Sequence, residues 1–576
     1  MTGQAGLSAR RTQALHRLHA RWAGLARPAT GFMSQPEPRS IGHYARGRQL
    51  VAGNFLFSGY LIEAPGLLIW DIAIPDPAFK DEVQGFAWLD DLAAAGDAAA
   101  RRKAQDWTWG WIARFGRGTG PGWTPDLTGR RIIRWINHAL FLLNGMDRTA
   151  TEAYYRALSR QTVFLSRRWH TAAPGLPRFE ALTGLIYAGL ALTGMERYVA
   201  RARTALAREC ATEIDAEGGI PTRNPEELLE VFTLLIWAAQ ALAETGRRPG
   251  EAHLAAIERV APTLRALRHA DGGLARFHGG GRGLEGRLDQ ALAGSGVKPA
   301  ALTGLAMGFA RLSGGRTSVI ADAAPPPDGH ASLSAHASTL AFELTSGRRA
   351  VIVSCGSGAP FGPDWRRAGR ATASHSTLEI EGFSSSRLGG GGNEQLTDLA
   401  WVPLAKMGTD PSAARLAMSH EGWIETHGLT HTRHLVLAHD GRNLSGGDIL
   451  EAVTPEDRHL FERVMNRTRC QGVQYMIRFH LHPDVDAAID LGGAAVSLVL
   501  KSGELWIFRH SGGADLSLQP SVYLERGRLK PRPTRQIVLS AMLQHTEAQI
   551  DWTLAKAQDT PLAIRDLDRD DPAAPA

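Results

Sequence analysis

A chain of 576 residues is too long for one ordinary core and calls for two or more domains. With 44% hydrophobic and 21% charged residues it has an ordinary globular composition, which excludes a fibrous repeat or bulk disorder. The formal charge of +6 favours an acidic partner only weakly, because the arginines are spread along the chain and no clustered patch or known module marks nucleic acid. Cys210, Cys355 and Cys470 are far apart, odd in number and outside any C-x-x-C spacing, so neither a disulfide framework nor a cysteine zinc knuckle is indicated.

In the first segment, 1–40, no acidic residue precedes Glu37, while Arg10, Arg11, Arg17, Arg21 and Arg27 alternate with Leu7, Ala14, Leu15, Leu18, Trp22 and Leu25. The spacing predicts a basic amphipathic helix, docked on the protein or a loose arm, with a membrane-surface role as the alternative. The segment lacks the continuous apolar core of a secretory signal. Nowhere does the chain offer the ~18 uninterrupted apolar residues of a spanning helix. With no signal recognised the sequence reads as cytoplasmic, and the localisation stays open.

Residues 41–74 read as short strands and turns. From Phe86 to about Leu312, recurring i, i+3, i+4 apolar faces between Gly/Pro breaks predict successive antiparallel helices. The clearest runs through Leu228, Val231, Phe232, Leu235, Ala239 and Leu242, with Asn224 as cap, Pro225 in the first turn and Glu227 where a capping-box carboxylate reaches back. Two inter-helix loops look alike, Glu217-Gly218-Gly219-Ile220-Pro221-Thr222-Arg223 and Asp271-Gly272-Gly273-Leu274-Ala275-Arg276-Phe277. Repeated hairpins whose loops return to one rim describe an α/α toroid over 41–315. The Gly-Gly pairs also serve as left-handed helix ends.

A linker is expected over 316–330, around Ala323-Ala324-Pro325-Pro326-Pro327, and beyond it short alternating runs predict an antiparallel β-sandwich over 331–560, with a tail over 561–576. The fold class is therefore two-domain α+β. Within the β part, Leu340, Phe342 and Leu344, a Thr345-Ser346-Gly347-Arg348 turn and Ala350–Val353 predict a hairpin, and Ser376–Ile380 a third strand. His336 and His375 then stand at the starts of two strands of one sheet.

A helical toroid followed by a sandwich, with His336-Ala337-Ser338-Thr339-Leu340-Ala341-Phe342-Glu343, Val353-Ser354-Cys355-Gly356, and Trp365 followed by Arg370-Ala371-Thr372-Ala373-Ser374-His375-Ser376-Thr377, resembles the heparinase II/III-like polysaccharide lyases. Gly129-Arg130-Arg131-Ile132-Ile133-Arg134-Trp135-Ile136 and Glu217–Pro225 are similar to that family's helical half. The resemblance implies β-elimination on an acidic, uronate-containing polysaccharide. It also implies a cell-envelope or periplasmic setting, which the missing signal does not support. A homodimer stays open. Such a reaction needs a neutralised carboxylate, a base for the C5 proton and an acid for the leaving oxygen.

Several of the family's positions are substituted. Asn224-Pro225-Glu226-Glu227 replaces the S-P-x-Y loop and puts Glu227 at the tyrosine position. Trp169 is followed by His170-Thr171-Ala172-Ala173-Pro174-Gly175 with no clear Asn, and Ser334-Ala335-His336 keeps only the second histidine of H-x-H. The zinc that some members hold has His336 and His375 here, but Ser354 stands in place of the Asp, an incomplete ligand set.

The candidate catalytic residues are thus His336, Arg223 and Glu227. Candidate substrate-binding residues are Asn224, Arg276, His278, Asn137 and His138, with arginines suited to hold a carboxylate through two hydrogen bonds. Each has a structural alternative: a core histidine at 336, capping at Glu226 and Glu227, a strand-buried Cys355 against a Cys/His nucleophile, and a polar face for Arg478, His480 and His482. The function is a lyase on acidic glycans or, alternatively, a non-catalytic glycan-binding or envelope-associated protein that kept the fold.

Overall fold

The structure is a computed structural model that describes residues 2–34, 38–300, 302–390, 394–467 and 471–558; the expected tail and Cys470 lie outside them. The chain forms two compact units. One comprises the residues up to Ala216 with Leu229–Ala261 and Gly286–Lys298, and the other Glu217–Leu228, Pro262–Glu285 and the chain from Pro299 onward. Both Gly-Gly loops therefore belong to the unit that contains the two large sheets.

The first unit is helical, as the 3.6-residue periodicity predicts. Three of its helices start on carboxylate caps: Asp76 accepts from the Phe79 N–H, Asp97 from Ala100 and Asp147 from Ala150, each cap worth about 1 kcal/mol. The core is aromatic, with Phe86 packed on Trp88, Trp111 and Trp135, and Trp135 stacked on Tyr154. Helices Pro125–Asn137 and Leu176–Ala191 meet backbone to backbone at two glycines. A Cβ on Gly129 would stand 2.2 Å from the Glu180 carbonyl oxygen, and one on Gly184 2.5 Å from the Gly129 Cα. Gly129→Ala is expected to cost at least about 1–3 kcal/mol in urea unfolding, since backbone on both sides must move apart.

The predicted N-terminal helix is present as Thr2–Ala23 and packs on Arg148–Arg168, but not through the apolar stripe an amphipathic helix ordinarily buries. Among its described side chains His16, Ala20 and Ala23 are buried. His16 meets the Phe164 ring edge-on, and its Nδ1 accepts from Arg168 Nε at 3.2 Å. Leu15, Leu18, Trp22 and Leu25 stay outside. Among the described residues no helix is long and apolar enough to cross a membrane.

The second unit is an antiparallel sandwich. One sheet runs, in spatial order, Leu404–Thr409, Ala413–Trp423, Leu429–Ala438, Asn443–Glu451, Glu547–Gln558, Leu505–Ser511, Ala495–Leu500, Val485–Asp490. The other runs Asp515–Tyr523, Arg532–Leu543, Val473–Leu481, Arg349–Val353, Phe342–Ser346, Thr317–Asp322, Phe309–Gly314, and Leu378–Ile380 pairs with Val473–Leu481. The predicted hairpin is formed: Phe342–Ser346 pairs antiparallel with Arg349–Val353. Inward-facing Leu344, Ile352, Ile477, Leu416, Leu435 and Trp552 of the two sheets share one core.

That core contains charge. Asp448 accepts from His431 Nε2 at 2.8 Å, Arg433 Nε at 2.7 Å and Trp552 Nε1 at 2.9 Å, while Arg433 Nη1 donates to the carbonyls of Leu340 and Ser376.

Two sequence expectations are corrected here. Residues taken as the end of the toroid and as linker form the strands Phe309–Gly314 and Thr317–Asp322; the Pro run begins only after them. Neither His336 nor His375 opens a strand. His336 lies in coil before Phe342, His375 follows the short 3-10 turn Thr372–Ser374, and Leu378–Ile380 is not a neighbour of the hairpin strand Phe342–Ser346.

Candidate functional site

The polar centre of the sheet unit is Asp322, the last residue of its strand and fully buried. Arg223 Nη2 donates to Oδ1 at 2.6 Å, Ser338 Oγ to Oδ2 at 2.7 Å, and His278 Nε2 lies 3.4 Å from Oδ2. Burial alone would raise the carboxyl, but Arg223, His278 and Ser338 outweigh it and hold it well below the usual range. Arg223 spends its other donors on the carbonyls of Met307, Ala324, Pro325 and Gly308. With the bond to Asp322, all five guanidinium N–H groups are used. Both Arg223 (φ 50°) and His278 (φ 47°) occupy the left-handed region, unusual for side chains of this size. The network around Asp322 holds two strained loop positions in place.

His278 Nδ1 accepts from the backbone N–H of His336 at 3.2 Å, so the ring proton sits on Nε2, facing Asp322. His336 Nδ1 in turn lies 3.2 Å from His375 Nε2, which brings the two sequence-predicted histidines together. Burial drives both down: His336 well below its ordinary value, next by the charge of His375, and His375 to about 3, next by that of His480. Two imidazoles on one tetrahedral zinc would have their nitrogens about 3.3 Å apart, so this pair has a compatible spacing. The rest of a ligand set does not follow. Ser354 stands where a carboxylate is needed, and among the described residues no group of three or more His, Cys, Asp or Glu is placed to hold a metal. The residues do not fit a closed structural zinc site.

Arg276, on the second Gly-Gly loop, is likewise enclosed. Its Nη groups donate to the carbonyls of Ser354, Cys355 and Leu524, its guanidinium lies 4.0 Å from the Tyr523 ring centre, and its backbone N–H donates to Glu343. Gly356 (φ 95°) permits this, since a Cβ there would stand 1.9 Å from Arg276 Nη2. Asn224 Oδ1 accepts from the N–H groups of Glu226 and Glu227, the predicted cap. Glu227 does not reach back to the cap backbone but accepts from Thr222 Oγ1 at 3.1 Å; burial raises its carboxyl despite that bond. Glu226 accepts from Gly281 N–H and pairs with Arg526.

The remaining candidates, Asn137 and His138, belong to the helical unit. His138 Nε2 is 2.8 Å from Asp90 Oδ1, and Asp90 also meets Arg134 and Ser40. Asn137 is buried with neither amide atom hydrogen-bonded among the described residues.

Sequence reading missed Asp322, whose one signal was a carboxylate closing the apolar run Val319-Ile320-Ala321. It also missed the partners of Cys355. His480 Nε2 donates to the Ala373 carbonyl at 2.9 Å, leaving Nδ1 to accept from Ser521 Oγ at 2.7 Å, with Cys355 Sγ at 3.6 Å. Burial opposes ionisation of the thiol, but His480, Ser521 and Ser374 together outweigh it and lower the group to about 7. Arg478 pairs with Glu379 and His482 packs on Tyr523, so the Arg478, His480, His482 face is occupied within the protein.

Residues 297–553 match the family described as Heparinase II/III-like, C-terminal. FtsZ-localized protein C of Caulobacter vibrioides (strain NA1000 / CB15N) is 30% identical over 556 residues, covering 93% of this chain and 92% of that protein. Among solved structures, heparinase III superposes with a TM-score of 0.67 at 12% identity, covering 96% of this chain and 90% of that one. Heparan sulfate lyase HepC from Pedobacter heparinus superposes with 0.57 at 14% identity, covering 96% and 89%. At such identities the two structures speak for the fold. The sequence matches make the assignment, and the superpositions give the fold, a helical toroid followed by a β-sandwich: this chain belongs to the heparinase II/III-like family.

Proposed function

We propose that this protein keeps the lyase fold as a recognition scaffold and carries out no β-elimination. The observation that carries the reading is the enclosure of Arg223, whose five donors are all spent on four carbonyls and Asp322, leaving none for a uronate carboxylate. Arg276, similarly engaged on three carbonyls, supports it. So does the replacement of the family's tyrosine by Glu227, hydrogen-bonded to Thr222. Fold alone does not bring the chemistry with it.

The relative of nearly equal length is named for localisation with FtsZ, and we propose that this chain shares that localisation. Residual affinity for acidic glycans is compatible with the scaffold role. Incubation with a panel of uronate-containing polysaccharides, followed by ultraviolet absorbance of the unsaturated product, is expected to show none. Product that Glu227→Gln or His336→Ala abolishes would overturn the reading. Co-sedimentation with FtsZ polymers tests the localisation separately.

A further inference from the structure

The first helix uses one side for the protein and presents another, equally apolar, outward. His16, Ala20 and Ala23 face Arg148–Arg168. Leu15 (45% exposed), Leu18 (40%) and Trp22 (50%), spaced i, i+3, i+7, form a second stripe in solvent, and Leu25 (86%) extends it beyond the helix end. Arg10, Arg17 and Arg21, themselves at i, i+7, i+11, run beside that stripe; Arg11 falls within it, and all are exposed. No acidic residue precedes Glu37. A helix already anchored through one face has no folding reason to expose a tryptophan and two leucines on another. The fold cannot retract them, because the anchoring face is set by His16 and the small alanines.

We propose that this face is a binding site for an anionic lipid bilayer, with Leu15, Leu18, Trp22 and Leu25 entering the headgroup boundary and the arginines engaging lipid phosphates. The chemistry matches an interfacial helix: an apolar stripe gives insertion, and flanking guanidinium groups give attraction to negative headgroups. A second copy of the chain fits the face less well. Joining two such helices would bring two arginine stripes together, and like charges repel. Membrane attachment and the absence of lyase chemistry stand or fall separately.

Flotation of the full-length protein with vesicles decides it. The protein is expected to float with phosphatidylglycerol/phosphatidylethanolamine vesicles, to stay at the bottom with phosphatidylcholine alone, and to be partly released by high salt. Replacing Leu15, Leu18 and Trp22 together by Gln should lower binding at least about tenfold, and replacing Arg10, Arg11, Arg17 and Arg21 by Gln should do likewise. Both variants should keep the wild-type circular dichroism and melting temperature, since the replaced side chains are exposed. Wild-type protein that does not float with anionic vesicles, or a Leu/Trp variant that floats as well as wild type, would overturn the proposal. So would a dimer abolished by that variant in a protein that ignores vesicles, which would give the face to a second copy.

Discussion

Asp322→Ala should destabilise the sandwich unit by about 3–5 kcal/mol, because it leaves the Arg223 guanidinium buried without its counter-charge. Arg223 would keep its four carbonyls, but these satisfy hydrogen bonds rather than charge, while Ser338 would lose its acceptor and His278 the carboxylate beside it. The strained backbone at Arg223 and His278 would then relax, loosening both Gly-Gly loops. Chemical denaturation of wild type and variant measures the cost, and hydrogen exchange at 217–228 and 262–285 reads the loosening.

The pH dependence has a definite sign. The Asp322 carboxyl is held below its ordinary value in the folded protein, so its contribution is fully present above the unfolded carboxylate range, near about pH 4. It is lost as pH falls through the folded value. The stability gap between wild type and Asp322→Asn should therefore be constant from neutral pH down to about pH 5 and shrink below about pH 4. A gap that widens on acidification would contradict the assignment.

The second large effect lies inside the sandwich. Arg433→Met is expected to cost about 3–5 kcal/mol, since Asp448 would stay buried with only His431 and Trp552 as partners. Burial holds His431 below its ordinary pKa, although the bond to Asp448 opposes this, so the histidine supplies little of the lost positive charge. Combining Arg433→Met with Asp448→Leu should be less damaging than the sum of the two single changes, because the double variant buries no lone charge. Additive losses in a double-mutant cycle would show that the two residues act independently.

The same residues show how far a linear reading reaches. The hairpin Phe342–Val353 was legible because alternation and a Gly-containing turn are local signals, and the Asn224 cap because a cap acts within three residues. Arg223 and Arg276 stood out as cationic loop residues, and that much was sound. Their binding role depended on free donors, and those donors are spent on carbonyls 84 to 102 and 78 to 248 positions away, which no periodicity reveals. The N-terminal helix was legible as amphipathic, yet its docking face was not, because Ala20 and Ala23 carry almost no hydrophobic signal while fitting closely against a neighbouring helix.

By itself, then, the amino-acid order determined the succession of helices and antiparallel strands, the turn between them and the family's motifs, all of which arise from contacts a few residues apart. Tertiary structure alone decided that His336 and His375, 39 positions apart, meet at 3.2 Å and that Asp322 is the polar hub. It alone decided that the candidate arginines hold the protein's own backbone. The physical reason is that hydrogen-bond saturation and burial are properties of the folded neighbourhood, assembled from strands and loops that only folding brings together.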